Sequence, residues 1–255
     1  MVKLAAIAWA LLLPGLSLAA EAETAKAGAD WQSWRANNVV ATTDSLQRGA
    51  RNFMNYCVNC HSLKYLRYSR LATDLKIPPD VLSANLLPPG AKPADYIVTT
   101  LRPEDGVAWF GKEPPDLSLI ARSRGPDYLF RFLKTFYVDT SRPTRTNNLQ
   151  LPNASMPAVL SELEGVKEAT FRAAPAAGSE GAGEKQLDHF TITTPGQLTA
   201  EQYDLFVRDT VNFLDYAGEP AQVSRRSMGV WVVLFLLAFT WMSLLLKQEY
   251  WKDVH

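Results

Sequence analysis

Cys57, Cys60 and His61, in the stretch Asn55-Tyr56-Cys57-Val58-Asn59-Cys60-His61-Ser62, constrain this chain more than any other feature. The two cysteines are the only ones in 255 residues, and the histidine follows the second directly. The C-x-x-C-H spacing is that of covalent c-type haem attachment. Two thiols three residues apart on one helical turn reach the two vinyl groups of one porphyrin. The next residue then sets an imidazole nitrogen, a good iron ligand, beneath the metal. Other uses of these residues fit less well. A thioredoxin-like C-x-x-C sits in a βαβ pattern, and none surrounds this one. A structural zinc site needs four ligands, and only His189 and His255 remain as nitrogen donors. A disulfide between Cys57 and Cys60 would close a very short loop and leave His61 without a role.

The ends of the chain suit such a cofactor. Lys3, the apolar run Leu4 to Leu13, the break at Pro14-Gly15 and the small residues of Ser17-Leu18-Ala19-Ala20 form an export signal. Its apolar run is short for a spanning helix, so an uncleaved anchor is the weaker reading. Near the other end, Met228 to Leu246 is an uncharged run of 19 residues, roughly 28 Å as a helix and enough to span a bilayer core. Trp231, Trp241, Tyr250 and Trp251 fall within the span or near its interfaces. Basic residues flank both sides, with Arg225 and Arg226 before the run and Lys247 and Lys252 after it. Charge therefore leaves orientation open. The haem decides it, because attachment is expected on the outer side of a bacterial inner membrane. The expected organisation is a signal peptide at 1–20, a periplasmic domain at 21–226, a transmembrane helix at 227–246 and a cytoplasmic tail at 247–255. Lys plus Arg equals Asp plus Glu, 26 each, so no basic excess points to nucleic acid.

Between these ends the pattern is mainly helical. Thr43 or Asp44 is a candidate cap for a first helix, in which Leu46, Ala50, Phe53 and Cys57 recur at three- and four-residue steps. The haem cysteines then lie on its apolar face, at its end. Residues 77 to 118 hold eight prolines and read as loop, with one short helix expected near Pro93 to Leu101. A short helix is expected over Asp116 to Arg124. Another is expected to be capped by Asp127, with Tyr128, Phe132, Leu133 and Phe136 along one face. Residues 138 to 155 read as polar loop. Residues 161 to 188, with low-complexity Ala173 to Gly183 at their centre, read as a flexible, net acidic insertion. As a function, this insertion would dock a basic electron acceptor; otherwise it is a solvated loop. A short strand is expected around His189. Thr199 and Gln202 form a capping box, followed by an amphipathic helix through Leu205, Thr210, Phe213, Leu214 and Ala217 to Gly218 and Pro220.

Met156 is the candidate sixth iron ligand. Of five methionines, Met1 belongs to the signal, Met54 sits beside the cysteines, and Met228 and Met242 lie in the apolar span. Met156 stands in Leu151-Pro152-Asn153-Ala154-Ser155-Met156-Pro157, 95 residues after His61. A proline-flanked loop has no helix to maintain and can present a thioether, which raises the potential. Core filling is the alternative use of Met156. His189 is the competing ligand, in a poorer context.

Taken together these features resemble the cytochrome c1 family, the haem subunits of cytochrome bc1 complexes. Beyond Cys-Val-Asn-Cys-His-Ser, the resemblance rests on Arg48-Gly49, Pro114-Pro115-Asp116-Leu117-Ser118, Arg122-Ser123-Arg124, Asp127-Tyr128, Met156-Pro157 and Ala217-Gly218-Glu219-Pro220. It covers nearly all of the chain after the signal and is poor between Met156 and Gln197. It implies a mainly α, class I cytochrome c-like haem domain with loop insertions and one C-terminal transmembrane helix. It implies one covalently attached haem c with His61 proximal and Met156 distal, Tyr128 near the haem, and Arg124 on a propionate. Charge alone suggests the last, since a guanidinium holds a buried carboxylate bidentately. The implied function is single-electron transfer from the Rieske iron–sulfur subunit to a soluble or tethered c-type cytochrome, beside cytochrome b. No residue of this chain is required for acid–base or nucleophilic catalysis, and it is no enzyme on its own. A free membrane-anchored cytochrome c, or a haem subunit of a terminal oxidase, would keep the chemistry and change the partners. A haem sensor or enzyme would need an open sixth position, and a thiol or zinc protein would show no visible absorption.

Overall fold

The computed structural model describes residues 28–173 and 185–252. The expected export signal and most of the low-complexity centre of 161–188 lie outside them. Along the chain, a 3-10 turn at Trp31–Ser33 precedes α1 (Thr43–Tyr56), β1 (Leu63–Arg67), α2 (Tyr68–Asp74), α3 (Pro79–Asn85), β2 (Tyr96–Ile97) and α4 (Pro103–Phe110). Then follow α5 (Ile120–Arg124), α6 (Pro126–Lys134), β3 (Phe136–Val138), β4 (Thr146–Asn148), α7 (Ser161–Glu164), β5 (Gly165–Ala173), β6 (Lys185–Pro195), α8 (Ala200–Gly218) and α9 (Gln222–Tyr250). The strands form three antiparallel pairs, β1 with β2, β3 with β4 and β5 with β6. The architecture is mainly α, as expected. The contacts divide into two compact units, residues 35–130 with 201–255, and residues 1–34 with 131–200.

The larger unit carries Cys57, Cys60 and His61. The expected spacing of Leu46, Ala50 and Phe53 holds, and all three are buried. Phe53 meets Phe213 of α8 with ring centroids 5.8 Å apart. Tyr68, Leu63, Leu66, Leu71, Leu75, Ile97, Val207 and Val211 complete an almost fully buried core. A polar seam runs between α1 and α8. Asp209 is 3% exposed and accepts hydrogen bonds from Ser45 Oγ at 2.6 Å and from Arg48 Nε at 2.5 Å. Asn52 Nδ2 donates to the Phe206 carbonyl at 3.2 Å and to Thr210 Oγ1 at 3.1 Å. Buried polar groups are costly unless paired, so these bonds fix the register of the two helices. Gly49 lets them meet: a Cβ there would lie 2.1 Å from the Asp209 carbonyl oxygen.

Several local expectations change. Thr42, not Thr43 or Asp44, occupies the cap of α1, and its side chain makes no capping bond. Asp44 instead sits in the first turn, where a carboxylate suits the positive end of the helix dipole. No helix forms at Pro93 to Leu101; that stretch holds β2, while helices begin at Pro79 and Pro103. Proline suits the first helical position because its missing N–H would have no intrahelical acceptor. The expected helix over Asp116 to Arg124 is confined to Ile120–Arg124. Of the expected face of α8, Thr210, Phe213, Leu214 and Ala217 are buried, while Leu205 is 46% exposed and Tyr203, Val207 and Val211 extend the buried face.

The smaller unit is richer in strand than expected. Residues 138 to 155 contain β4, paired with β3 from Phe136↔Asn148 to Val138↔Thr146. Asp127 lies in the first turn of α6, and of the apolar residues assigned to one face, Phe136 belongs to β3 rather than to the helix. The flanks of the expected acidic insertion form the long hairpin β5–β6, from Gly165↔Pro195 to Ala173↔Lys185. Leu187 and Phe190 are buried, and so is Lys167, whose Nζ donates to the Lys134 carbonyl at 2.6 Å and to Glu164 Oε1 at 2.5 Å. The low-complexity centre hides this apolar pattern when composition is averaged over the whole stretch. The expected strand at His189 is part of β6.

α9 has 29 residues, about 43 Å at 1.5 Å per residue. It is long and apolar enough to cross a membrane, and its Val, Leu, Phe and Trp side chains are exposed around the whole helix. A helix that is apolar all round finds a partner in lipid or in other helices.

Candidate functional site

The attachment stretch is a turn folded onto a helix end, not a further turn of α1. α1 stops at Tyr56, and Cys57 takes the C-cap position. The Cys57 and Val58 amides both donate to the Phe53 carbonyl, at 2.9 and 3.0 Å. The Cys60 and His61 amides then return to the Cys57 carbonyl, at 3.1 and 2.8 Å. The first two of these bonds tie the turn to Phe53, which is fully buried. Both cysteines are free and half-buried. Burial pushes the Cys57 thiol up to about 12, with a smaller push from Cys60, and burial raises Cys60 as well. Protonated thiols of this kind are unlike the low-pKa thiolates of exchange catalysts.

His61 is fixed from its far side. Its Nδ1 lies 2.8 Å from the Pro115 carbonyl oxygen. A carbonyl only accepts, so Nδ1 carries the proton and Nε2 holds the free lone pair. Burial pulls the pKa of His61 down, against a smaller upward pull from the Pro115 carbonyl and Asp116. A neutral imidazole with one nitrogen spent on a backbone carbonyl is the usual form of a ligating histidine.

The segment that supplies this carbonyl is itself strapped down. The Leu117 amide donates to the Ser62 carbonyl at 2.9 Å. Asp116 accepts from the Lys64 amide and from the Ser118 amide, both at 2.9 Å. Ser118 Oγ accepts from the Tyr65 amide at 3.2 Å. On the other side, Thr99 Oγ1 donates to the Asn59 carbonyl at 2.7 Å, and the Thr99 amide donates to Ser62 Oγ at 2.9 Å. From sequence, the proline pair and Asp116 open a short helix, and Pro114-Pro115-Asp116-Leu117-Ser118 is a family pattern. The structure shows that it orients His61, and it adds Thr99, which no sequence signal marked.

Arg124 and Tyr128 also lie in this unit. The Arg124 guanidinium carbon is 5.5 Å from the Tyr128 ring centroid, within cation–π range. Arg124 has no carboxylate partner among the described residues. Its neighbour Arg122 is paired with Glu219, which also takes Arg225 Nε at 2.5 Å. Gly218 permits this pairing, because a Cβ there would press on the Arg122 side chain at 3.1 Å. Met156 belongs to the smaller unit. It is half-buried in irregular backbone between β4 and α7. His189, the competing ligand, lies in β6 with its Nδ1 2.9 Å from Asp188 Oδ2.

Two free thiols on one turn, an imidazole with Nε2 available and an unpaired guanidinium fit a covalently held haem. Residues 89–254 match the model of the Cytochrome C1 family. A cytochrome c1 from Allochromatium vinosum is 47% identical over 83% of this chain and 85% of its own. This chain belongs to the cytochrome c1 family. Membership implies haem binding and a place in respiratory electron transport. Two further relatives carry other names. The ammonia monooxygenase gamma subunit of Nitrosomonas europaea is 40% identical over 84% of this chain and 86% of its own. A longer protein named cytochrome b/c1, from Bradyrhizobium diazoefficiens, is 27% identical over 83% of this chain and 33% of its own length.

Proposed function

We propose that this cytochrome c1 family member is the membrane-anchored haem subunit of a quinol–cytochrome c oxidoreductase. It passes single electrons from the Rieske iron–sulfur subunit to a soluble or tethered c-type cytochrome. The observation that carries the reading is His61, kept neutral by burial and oriented by the Pro115 carbonyl, on the turn that bears Cys57 and Cys60. Cys57 and Cys60 would hold one haem c through thioether bonds, and His61 Nε2 would supply a ligand to its iron. Met156 would supply the second iron ligand, Arg124 would pair with a propionate, and Tyr128 would lie beside the haem. When bound, the haem supplies a one-electron iron couple.

The protein's own residues bind, orient and shield. The thiols fix the ring, and the Pro115 carbonyl fixes the tautomer of His61. A guanidinium can hold a carboxylate bidentately. The chemistry requires no acid–base or nucleophilic side chain of this chain, which acts together with its partners. Residues 1–20 are the export signal, 21–226 the periplasmic domain, 227–246 the span across the bacterial inner membrane and 247–255 the cytoplasmic tail. Association with cytochrome b is supported by the relative in which the two names are joined in one longer chain.

The relative named as an ammonia monooxygenase subunit favours a second reading, in which the same haem domain serves a different oxidoreductase. One experiment separates them. Isolated membranes are given a quinol, with and without an inhibitor of the bc1 quinol site, and the haem α-band is followed. Reduction blocked by the inhibitor is the expected result. Reduction that ignores it would move the chain to another donor, and no haem band at all would sink both readings.

A further inference from the structure

A groove of about 550 Å³ opens at the root of α9, lined by Asn38, Val39, Val40, Ala41, Asp215, Gln222, Val223 and Arg226. Its size lies in the range of small-ligand sites. Gln222 and Arg226 are four residues apart on α9 and so share one face. Arg226 precedes the uncharged run at Met228 by two residues, about 3 Å along the helix. The groove therefore sits at the depth where the anchor leaves the hydrocarbon. This placement rests on reading Met228 to Leu246 as a membrane span.

Its polar groups are unspent. Arg225 is committed to Glu219, whereas Arg226 has no ion pair among the described residues. Asp215 Oδ2 accepts from Asn38 Nδ2 at 2.9 Å, and its other oxygen has no donor among the described residues. Gln222 is 9% exposed, and its amide makes no side-chain hydrogen bond among the described residues. The Gln222 amide stands on the groove wall with its donors and acceptor open to an occupant. Val39 and Val223, 58% and 45% exposed, add apolar wall.

We propose that this groove seats the headgroup of an aminophospholipid. The Arg226 guanidinium takes the phosphodiester, the Asp215 carboxylate takes the primary ammonium, and the Gln222 amide bonds the oxygens between them. Val39 and Val223 meet the start of the acyl chains. One cation and one anion in a single groove match a zwitterion with a donating ammonium. A purely anionic headgroup would meet Asp215 unfavourably. A choline headgroup offers no N–H to its carboxylate.

The test uses the full-length holoprotein in nanodiscs of equimolar phosphatidylethanolamine, phosphatidylcholine and phosphatidylglycerol, released into the gas phase for native mass spectrometry. One retained phosphatidylethanolamine per chain is expected, preferred about tenfold over either other lipid. Arg226→Gln and Asp215→Asn should each abolish the preference, with Lys252→Gln unchanged. Arg226 is not needed for any internal bond, so its variant keeps the test open if Asp215→Asn fails to fold. Equal retention of all three lipids, retention insensitive to Arg226→Gln, or a phosphatidylglycerol preference unmoved by Asp215→Asn would each overturn the proposal. A chain that stays out of the nanodisc would overturn the anchor reading itself. Insertion without headgroup preference overturns only the lipid seat.

Discussion

Gly49→Ala tests the packing on which the attachment turn depends. The added Cβ would lie 2.1 Å from the Asp209 carbonyl oxygen and 2.6 Å from Phe213 Cβ, where ordinary contact starts at 3.4 Å. α1 and α8 must therefore separate by about 1.3 Å at this point. That displacement takes Ser45 away from Asp209, and Asn52 away from Thr210, beyond hydrogen-bond reach, from 2.6 and 3.1 Å. Overpacking costs about 1–3 kcal/mol, and each buried bond lost costs about 1 kcal/mol more. Alanine returns about 1 kcal/mol of helix propensity. The net is roughly 3 kcal/mol, or a fall in melting temperature of roughly 10 °C for a protein of this size. Far-UV circular dichroism of the detergent-solubilised holoprotein reads this directly. Because the closest atom is backbone, a second substitution Phe213→Ala should not rescue the variant. A melting temperature within about 1 °C of wild type would refute the close approach of the two helices.

Two further outcomes are expected. Met156→Ala should leave the haem attached but give a ferrous form that binds carbon monoxide and a lower reduction potential, because a thioether favours the ferrous state; an unchanged spectrum would remove Met156 as the distal ligand. Glu219 is held below its ordinary value of 4.5, first by its hydrogen bond to Arg225 and then by Arg122, so its stabilising effect is full above that value and is lost as pH falls through the depressed one. The stability gap between wild type and Glu219→Gln should therefore shrink on acidification below about pH 4.5 and also in high salt, since both arginines are exposed; a gap independent of pH would exclude this linkage.

The sequence alone determined the elements whose cause is local. Cys57, Cys60 and His61 are contiguous, so their chemistry is written in their spacing. The anchor follows from an uncharged apolar run, and the buried face of α1 follows from the period of Leu46, Ala50 and Phe53. The family pattern singled out Gly49, Pro115, Asp116 and Gly218 without saying what they do. Only the tertiary structure decided that. Pro115 acts through a backbone carbonyl, and a carbonyl leaves no side-chain signature. Gly49 and Gly218 act through the close approach of Asp209 and Arg122, which are far away in sequence. The hairpin β5–β6 was hidden because its two strands pair across a low-complexity centre, and pairing between distant strands has no local period. Arg226 and Gln222 gained a reading only when Asp215 and the Asn38–Ala41 segment came beside them, because a groove exists only where distant segments meet.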